Sequence, residues 1–451
     1  MFGQIVSFVK GVIRNMFPAK NIKQALQVET CMSETMQQKL ELWSCMYQGR
    51  APWCRGPVKS LRKEQGICRE FSNVCLNEME SRVSVEALDN IYQASIRDLN
   101  EHLQSGIALG SFIIKPLGGD KVEYVTAGQF VPIEYDARRR LVDVVFVQIK
   151  RLQENGFYYR LERHAFKEGV LKITNRAFHS HSETVIGREI PLTEVEEWAA
   201  LPEAVEYHGL EKPDFGYYRN PIKNEVDGSP CGVSVFDSAI EQLKHADIQG
   251  ARLDWEFESG ERAINVDAAA LRAVPEISNG KTRLVLPKLN ERLYRGLNLE
   301  AGTDKELYQE WSPEFRDVSI VNGLNTYLRQ VEFNVSLSYG DLSDVSDVDK
   351  TATEARIARK RKYNMVQAMQ MNLKECLEDL VYALAFYNAM TKSGYEFLCT
   401  FKDSILVDEE TERQQDRSDV SMGAMLLWEY RMKWYGETEE QAKAAVQQLC
   451  R

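Results

Sequence analysis

Four aspartates near residue 345 have the residue type and spacing that could support metal or charge chemistry. Asp341, Asp344, Asp347 and Asp349 lie within nine residues that contain no Lys or Arg, and Lys350 follows them. Such a group could hold a divalent cation for hydrolysis, could repel a polyanion or face a partner, or could be a solvated surface loop. The spacing does not match the D-x-[DN]-x-[DN]-G pattern of a calcium loop. We therefore expect an acidic loop over 338–350 and no bound metal.

A basic cluster follows the aspartates at the start of a predicted helix. It consists of Arg356, Arg359, Lys360, Arg361 and Lys362. At about 100° per residue the first three share one helix face, while the last two point to other sides. No broad face of this stretch can then be buried, so we expect it to stand largely in solvent. Contact with phosphate, or with an acidic neighbouring subunit, is the functional alternative.

No catalytic motif accompanies these charges. The sequence has no P-loop, no G-x-G-x-x-G, no G-x-S-x-G and no H-E-x-x-H, and it contains only six histidines. His179 and His181 would share one strand face, but no carboxylate lies at a spacing that would complete a metal site. We expect an exposed strand end there, no cofactor, and a protein that is not an enzyme.

Composition narrows the class of protein further. The 451 residues carry a net charge of −11, so no global basic field attracts nucleic acid. Nine cysteines without a C-x-x-C pair indicate a reducing cytoplasm rather than a disulfide framework. No apolar run is long enough to span a membrane, and the apolar spacing over residues 2–16 predicts a helix packed on the protein.

The first half of the chain is predicted to form helices followed by strands, which would support the charged segments described above. Apolar stripes at Met36, Leu40, Trp43 and Tyr47 and at Ile67, Phe71 and Val74 predict helices up to about residue 105. Alternation from 109 to about 180, with tight turns at 118–120 and 155–156, predicts an antiparallel meander. Residues 195–230 are rich in turn formers and predict a connection.

The second half is predicted to be mainly helical, which gives an α+β protein overall. A helix is predicted from Ser234, with Asp237 as a capping-box variant, to Phe257, and Gly260 ends it; a second helix is predicted over 318–337. A long helix should begin with the capping box of Thr351 and Glu354, run to Lys392 and end at Gly394. A strand over 397–407 follows, and then helices over 421–435 and 438–449, the last beginning with the capping box of Thr438 and Gln441.

One segment of this pattern resembles a known family. Residues 350–380, KTATEARIARKRKYNMVQAMQMNLKECLEDL, preceded by SYGDLSD, resemble the K-T-A-T-E signature of portal proteins of long-tailed bacteriophages that infect mainly Gram-positive hosts. Segments 42–53, 67–80, 232–266, 400–413 and 437–449 resemble other parts of the same family, in the same order. The similarity therefore runs over nearly the whole chain.

The resemblance implies the phage portal fold, with named regions. These are a wing of helices and then antiparallel strands (1–230), a first stem helix (231–259), a clip (260–317), a second stem helix (318–337), a tunnel loop (338–350), a long wing helix with a returning strand (351–410) and crown helices (411–451). The aspartates and Lys350 would then belong to the tunnel loop, and the basic cluster would contact a neighbouring subunit or DNA.

The resemblance also implies partners and a location. It implies a homo-oligomeric ring of about twelve subunits at one capsid vertex. Double-stranded DNA would pass through it without sequence specificity during packaging and ejection. The terminase large subunit, a head-tail connector protein, scaffold and the major capsid protein would bind it, and no membrane would. The ring would be assembled in the host cytoplasm and end in the virion. A related ring of a domesticated prophage or gene-transfer particle and, from another class, a metal-dependent hydrolase using the aspartates are the alternatives.

Overall fold

The computed structural model describes residues 19–152, 156–182, 185–267, 274–278, 281–285, 294–297, 308–344, 352–391, 394–401 and 409–449. These residues form a mixture of helices and mostly antiparallel strands, which confirms the predicted α+β class. The helix predicted over residues 2–16 lies outside them. No helix in these ranges is long and apolar enough to cross a membrane.

Five helices begin the described chain. They are α1 (Ala19–Leu26), α2 (Glu34–Tyr47), α3 (Lys63–Leu76), α4 (Glu86–Ser95) and α5 (Leu99–Leu109). The predicted stripes are confirmed, because Met36, Leu40 and Trp43 on α2 and Ile67 and Phe71 on α3 are buried in one core. The helical prediction was wrong at β1 (Met79–Val83). This strand forms only because a distant segment pairs with it.

The alternating region forms strands as predicted, but in two sheets rather than one meander. The strands are β2 (Ser111–Gly118), β3 (Lys121–Thr126), β4 (Phe130–Tyr135), β5 (Leu141–Leu152), β6 (Gly156–Lys167), β7 (Val170–Ser180) and β8 (Arg188–Ile190). A turn after Thr126 separates β3 from β4, and the second sheet has the order β4-β5-β6-β7-β8. Both predicted strand pairs are present, and the pairing of β2 with β3 shifts register between Pro116 and Gly118.

The predicted connection over 195–230 contributes to both sheets. Its strand β9 (Ala204–His208) pairs with β7, and its strand β10 (Gly216–Arg219) pairs with β2, so the smaller sheet has the order β10-β2-β3. The prediction of a simple connection was therefore wrong. Aromatic and turn-forming residues hid two short strands whose partners lie 30 or more residues away in sequence.

Two helices flank a small β insert. Helix α6 (Ile240–Ser259) packs against α7 (Asp317–Asn334), and between them lie β11 (Ala263–Asp267), β12 (Val274–Ser278), β13 (Lys281–Val285), β14 (Tyr294–Leu297) and β15 (Tyr308–Trp311). Strand β11 pairs with both β14 and β15, and β12 pairs with β13. Helix α6 begins six residues later than predicted, because the Asp237 carboxylate accepts hydrogen bonds from Lys39 and Trp43 instead of closing a capping box with Ser234. Helix α7 ends three residues earlier than predicted.

The longest helix is α8 (Ala352–Tyr387), whose 36 residues span about 54 Å. Thr351, half of its predicted capping box, lies outside the described residues. The helix ends five residues before the predicted Lys392. Ala389 adopts a left-handed φ of 56°, and the Met390 N–H donates to the Ala385 carbonyl oxygen, so the last turn closes without Gly394. Strand β16 (Phe397–Phe401) then pairs with β1.

The chain ends in three helices. They are α9 (Glu409–Met422), α10 (Leu427–Tyr435) and α11 (Glu439–Leu449). The acidic stretch 408–419 was not predicted to be helical, and the helix predicted over 421–435 begins only at Leu427. Gly436 ends α10 with a φ of 65°, as predicted. The predicted capping box is confirmed, since Thr438 N–H donates to Gln441 Oε1 and Gln441 N–H donates to Thr438 Oγ1.

One large core joins α2 to α5, the β10-β2-β3 sheet, strands β4 and β5, the ends of α6 and α7, and α8. Helix α8 supplies the predicted stripe Val366, Met369, Leu373, Cys376, Leu377, Leu380 and Leu384, all of them buried against α2 to α5, the β10-β2-β3 sheet and the C-terminal end of α7. Two smaller clusters cover the faces of the six-stranded sheet, with Ile22 of α1 on one face and Trp198 on the other. The start of α8 and the loop before it therefore rest on a packed framework.

Candidate functional site

The described part of the acidic loop is held by a single buried glutamate of α7. The Glu332 side chain has no exposed surface. Its Oε1 accepts the main-chain N–H groups of Gly340, Leu342 and Ser343 at 3.0, 2.6 and 2.8 Å, and its Oε2 accepts the Ser343 hydroxyl at 2.9 Å. One carboxylate thus satisfies four donors of a turn, which fixes the direction in which the loop leaves α7.

Asp341 is neutralised by the start of α8. Its Oδ2 lies 3.0 Å from Lys362 Nζ, which also lies 2.6 Å from Glu70 Oε1 on α3. Burial alone would lower the pKa of Lys362, but the hydrogen bond that it donates to Glu70 and the charge of Asp341 outweigh this effect, so the pKa is raised and the ammonium is kept. Three elements, α3, the loop and α8, therefore meet at one cation.

Arg361 contacts two aromatic residues, Phe333 on α7 and Tyr339 in the loop after it. Its guanidinium carbon lies 4.7 Å from the ring centroid of Phe333 and 5.3 Å from that of Tyr339. One terminal nitrogen donates to the Leu337 carbonyl oxygen at 3.2 Å. These cation–π contacts hold the guanidinium beside the loop, while both rings stay exposed.

The structure thus brings together only part of the predicted set of charges. Asp344 is exposed, and its N–H donates to Asn325 Oδ1. Lys360 is exposed, as predicted. Asp347, Asp349 and Lys350, and the side chains of Arg356 and Arg359, lie outside the described residues.

The prediction that the helix start stands largely in solvent was wrong for two residues. Lys362 is buried and Arg361 is half-buried, because both side chains reach back over the loop and the end of α7 rather than away from the helix. A long cationic side chain can cover apolar surface with its stem and pair its head with a carboxylate. The helical periodicity indicated the direction in which each side chain leaves the helix, but not the position of its charged group.

Sequence reasoning missed Glu332. The available signal was a glutamate in the last turn of a helix followed by a turn rich in glycine and serine, whose free N–H groups need an acceptor. Glu332 also lies in a position where an apolar residue would continue the stripe of Leu328 and Val331, and a charged residue in such a stripe is typically paired.

A second buried network lies on the six-stranded sheet. His164 Nδ1 is 2.9 Å from both carboxylate oxygens of Asp214, and its Nε2 is 2.8 Å from Glu162 Oε1. The Tyr387 hydroxyl donates to Asp214 at 2.7 Å, and Lys115 Nζ lies 3.1 Å from Glu162 Oε2. Burial alone would lower the pKa of His164, but Asp214 and Glu162 outweigh it and raise this pKa to about 9. The imidazolium therefore ties strand β6 to the end of α8.

The predicted histidine pair does not assemble a metal site with other ligands. The rings of His179 and His181 lie edge to face, with centroids 5.0 Å apart. Within the described ranges, no group of three or more His, Cys, Asp or Glu side chains is arranged to hold a metal ion. In the acidic loop, the Asp341 carboxylate faces the ammonium of Lys362.

Comparison with family models and with curated proteins finds no match for this chain.

Proposed function

We propose that the chain is the portal protein of a long-tailed bacteriophage or prophage. In this proposal about twelve copies form a ring at one capsid vertex, and double-stranded DNA enters and leaves through its channel. The observation that carries the proposal is the K-T-A-T-E string at 350–354, placed between an acidic loop and the longest helix of the chain. The protein would be a conduit without chemistry of its own.

The arrangement of α6, the β insert and α7 supports this proposal. The two helices pack side by side, and the insert lies between them in sequence, as a stem and a clip require. In the proposal the clip is the surface that binds the terminase large subunit and later the head-tail connector. Scaffold and the major capsid protein would contact the wing in the assembled virion.

Charge supports a channel that does not retain DNA. DNA carries one negative charge per about 1.7 Å of its axis, so an acidic loop repels it. Because Lys362 neutralises Asp341, this repulsion must come from Asp344, Asp347 and Asp349. Lys362 is buried and paired with Asp341 and Glu70, so this cation does not offset the repulsion. The loop would then act as a charged rim, while Lys362 behind it serves the subunit's own structure.

Exposed apolar side chains support association with further copies of the chain. Around the end of α6 and the start of α7, Trp255 and Val318 are 63% and 67% exposed, and Phe257, Phe315 and Val321 are exposed beside them. Soluble monomers rarely leave such a group open to water. A ring would cover these residues with the neighbouring subunit.

The ring is tested by native mass spectrometry and negative-stain microscopy of the full-length recombinant protein over a range of salt and protein concentration. A ring of about a dozen copies with a central hole is expected. The absence of a ring at all of the salt and protein concentrations tested would contradict the proposal.

A matched pair of substitutions tests the apolar surface. Val318→Glu should abolish the ring, because it places an unpaired charge in the proposed interface, and should leave the circular dichroism spectrum unchanged. Val185→Glu changes a valine that is 52% exposed beside the six-stranded sheet and should leave the ring mass intact. Equal effects of the two variants would refute the assignment of this surface.

A further inference from the structure

A buried acidic contact joins the N-terminal helices to α6. The segment 50–62, between α2 and α3, crosses α6 at Asp247, whose side chain is buried. Its carboxylate accepts the Leu61 N–H at 2.7 Å, the Trp53 indole N–H at 2.8 Å and the Cys54 thiol at 3.7 Å. A Cβ at Gly250, one turn further along α6, would lie 3.0 Å from the Leu61 side chain. The segment is thus seated closely on this helix.

Glu64 is the unusual member of this contact. It lies in the first turn of α3, its side chain is 1% exposed, and its Oε1 has no hydrogen-bond partner. In the described part of the chain it forms no ion pair. A carboxylate buried with an unsatisfied oxygen is strongly disfavoured in general, whereas a neutral carboxylic acid is disfavoured far less. The geometry therefore favours the protonated form while the segment is seated.

The charged and titratable groups around Glu64 act in the same direction. Burial and, to a smaller extent, the charge of Asp247 raise the pKa of Glu64 to about 7, against a hydrogen bond from its own main-chain N–H that lowers it. Burial raises the pKa of Asp247 as well, against its three hydrogen bonds. Two thiols complete the surroundings, Cys54 on the crossing segment and Cys68 on α3; burial raises both thiol pKa values, so both thiols are neutral.

We propose that Glu64 and Asp247 form a protonation-dependent joint between the N-terminal helices and α6. When the segment 50–62 lifts from α6, water reaches Glu64, and its carboxylic acid releases one proton to solvent. When the segment docks again, Glu64 takes the proton back. Docking is favoured at acidic pH and weakens as the pH rises through neutrality, since the docked state binds one more proton than the open state. This joint does not depend on whether the chain forms a ring.

The experiment measures hydrogen exchange at the Leu61 amide, which donates directly to Asp247. After correction for intrinsic exchange, the opening constant should rise about tenfold from pH 6 to pH 8, as expected for a proton held with a pKa near 7 in the docked state and near the ordinary glutamate value in the open state. In Glu64→Gln, which keeps the shape and removes the titration, the opening constant should be the same at both pH values.

A matched control and a second measurement separate the joint from general loosening. Glu86→Gln changes an exposed glutamate in the first turn of α4 and should keep the tenfold rise. Infrared difference spectra should show a protonated carboxyl band at pH 6 that disappears at pH 8 and is missing in Glu64→Gln. Equal exchange of Leu61 at the two pH values, or a pH dependence that survives in Glu64→Gln, would overturn the proposal.

Discussion

Glu332 should control the order of the loop that follows α7. Replacing it with alanine removes the acceptor of three main-chain N–H groups and one hydroxyl. Each hydrogen bond to a charged group contributes about 1.5–3 kcal/mol, but the four share one carboxylate and the freed donors can reach water. We therefore expect a local loss of about 3 kcal/mol rather than the sum of four bonds.

Hydrogen exchange of the Gly340, Leu342 and Ser343 amides measures this loss directly. About 3 kcal/mol corresponds to roughly a hundredfold faster exchange at these amides. Gln330→Ala, at an exposed position on the same helix, is the matched control and should leave the three amides unchanged. An acceleration of less than about fivefold in Glu332→Ala would refute the argument, because it would mean that other contacts hold the loop.

Two further predictions concern the framework around this loop. The pKa of His164 is raised on folding from 6.5 to about 9, so its contribution of roughly 3 kcal/mol is fully present below pH 6.5 and is lost as the pH rises through 9. The urea concentration at the unfolding midpoint should therefore be lower at pH 10 than at pH 7, and this difference should be smaller in His164→Gln. An equal difference in the two proteins would contradict the role of His164. Gly110 ends α5 with a φ of 92°, and a Cβ there would lie 2.4 Å from the Gly232 backbone, so Gly110→Ala should lower the melting temperature strongly. Gly66→Ala, in the interior of α3 with open space around it, should leave it unchanged or raise it; similar effects of the two substitutions would contradict this reading.

Elements with a strong local pattern could be predicted from the sequence. The stripes of α2 and α8 repeat over ten or more residues and that of α3 over eight, and their residues lie in or against one core. Strands β5 to β7 pair over ten or more residues, although their sheet is covered on both faces rather than on one. The Thr438 capping box was predicted for the same reason, because both partners lie within four residues.

Features that depend on distant partners could not be predicted. Strand β1 requires β16, more than 300 residues further along the chain, and β10 requires β2. The Asp237 side chain was assigned to a local cap, whereas Lys39 and Trp43 compete for it across the fold. In the candidate functional site, the sequence identified the acidic loop and the basic cluster, but it did not indicate which charged residues pair with each other. Burial of Lys362 depends on Glu70, which no local pattern connects to it.

The ends of the β insert are closed by its own first and last strands. Strand β11 follows α6 directly and pairs antiparallel with β15, which directly precedes α7, with Ala263 opposite Trp311. An ion pair between Arg262 and Glu310 lies at the same point. The spacing of α6 and α7 is thus set before the chain enters residues 268–307. Changes of sequence or length within 268–307 that keep β14 paired with β11 can therefore accumulate in evolution, or be made by design, while the two helices keep their positions.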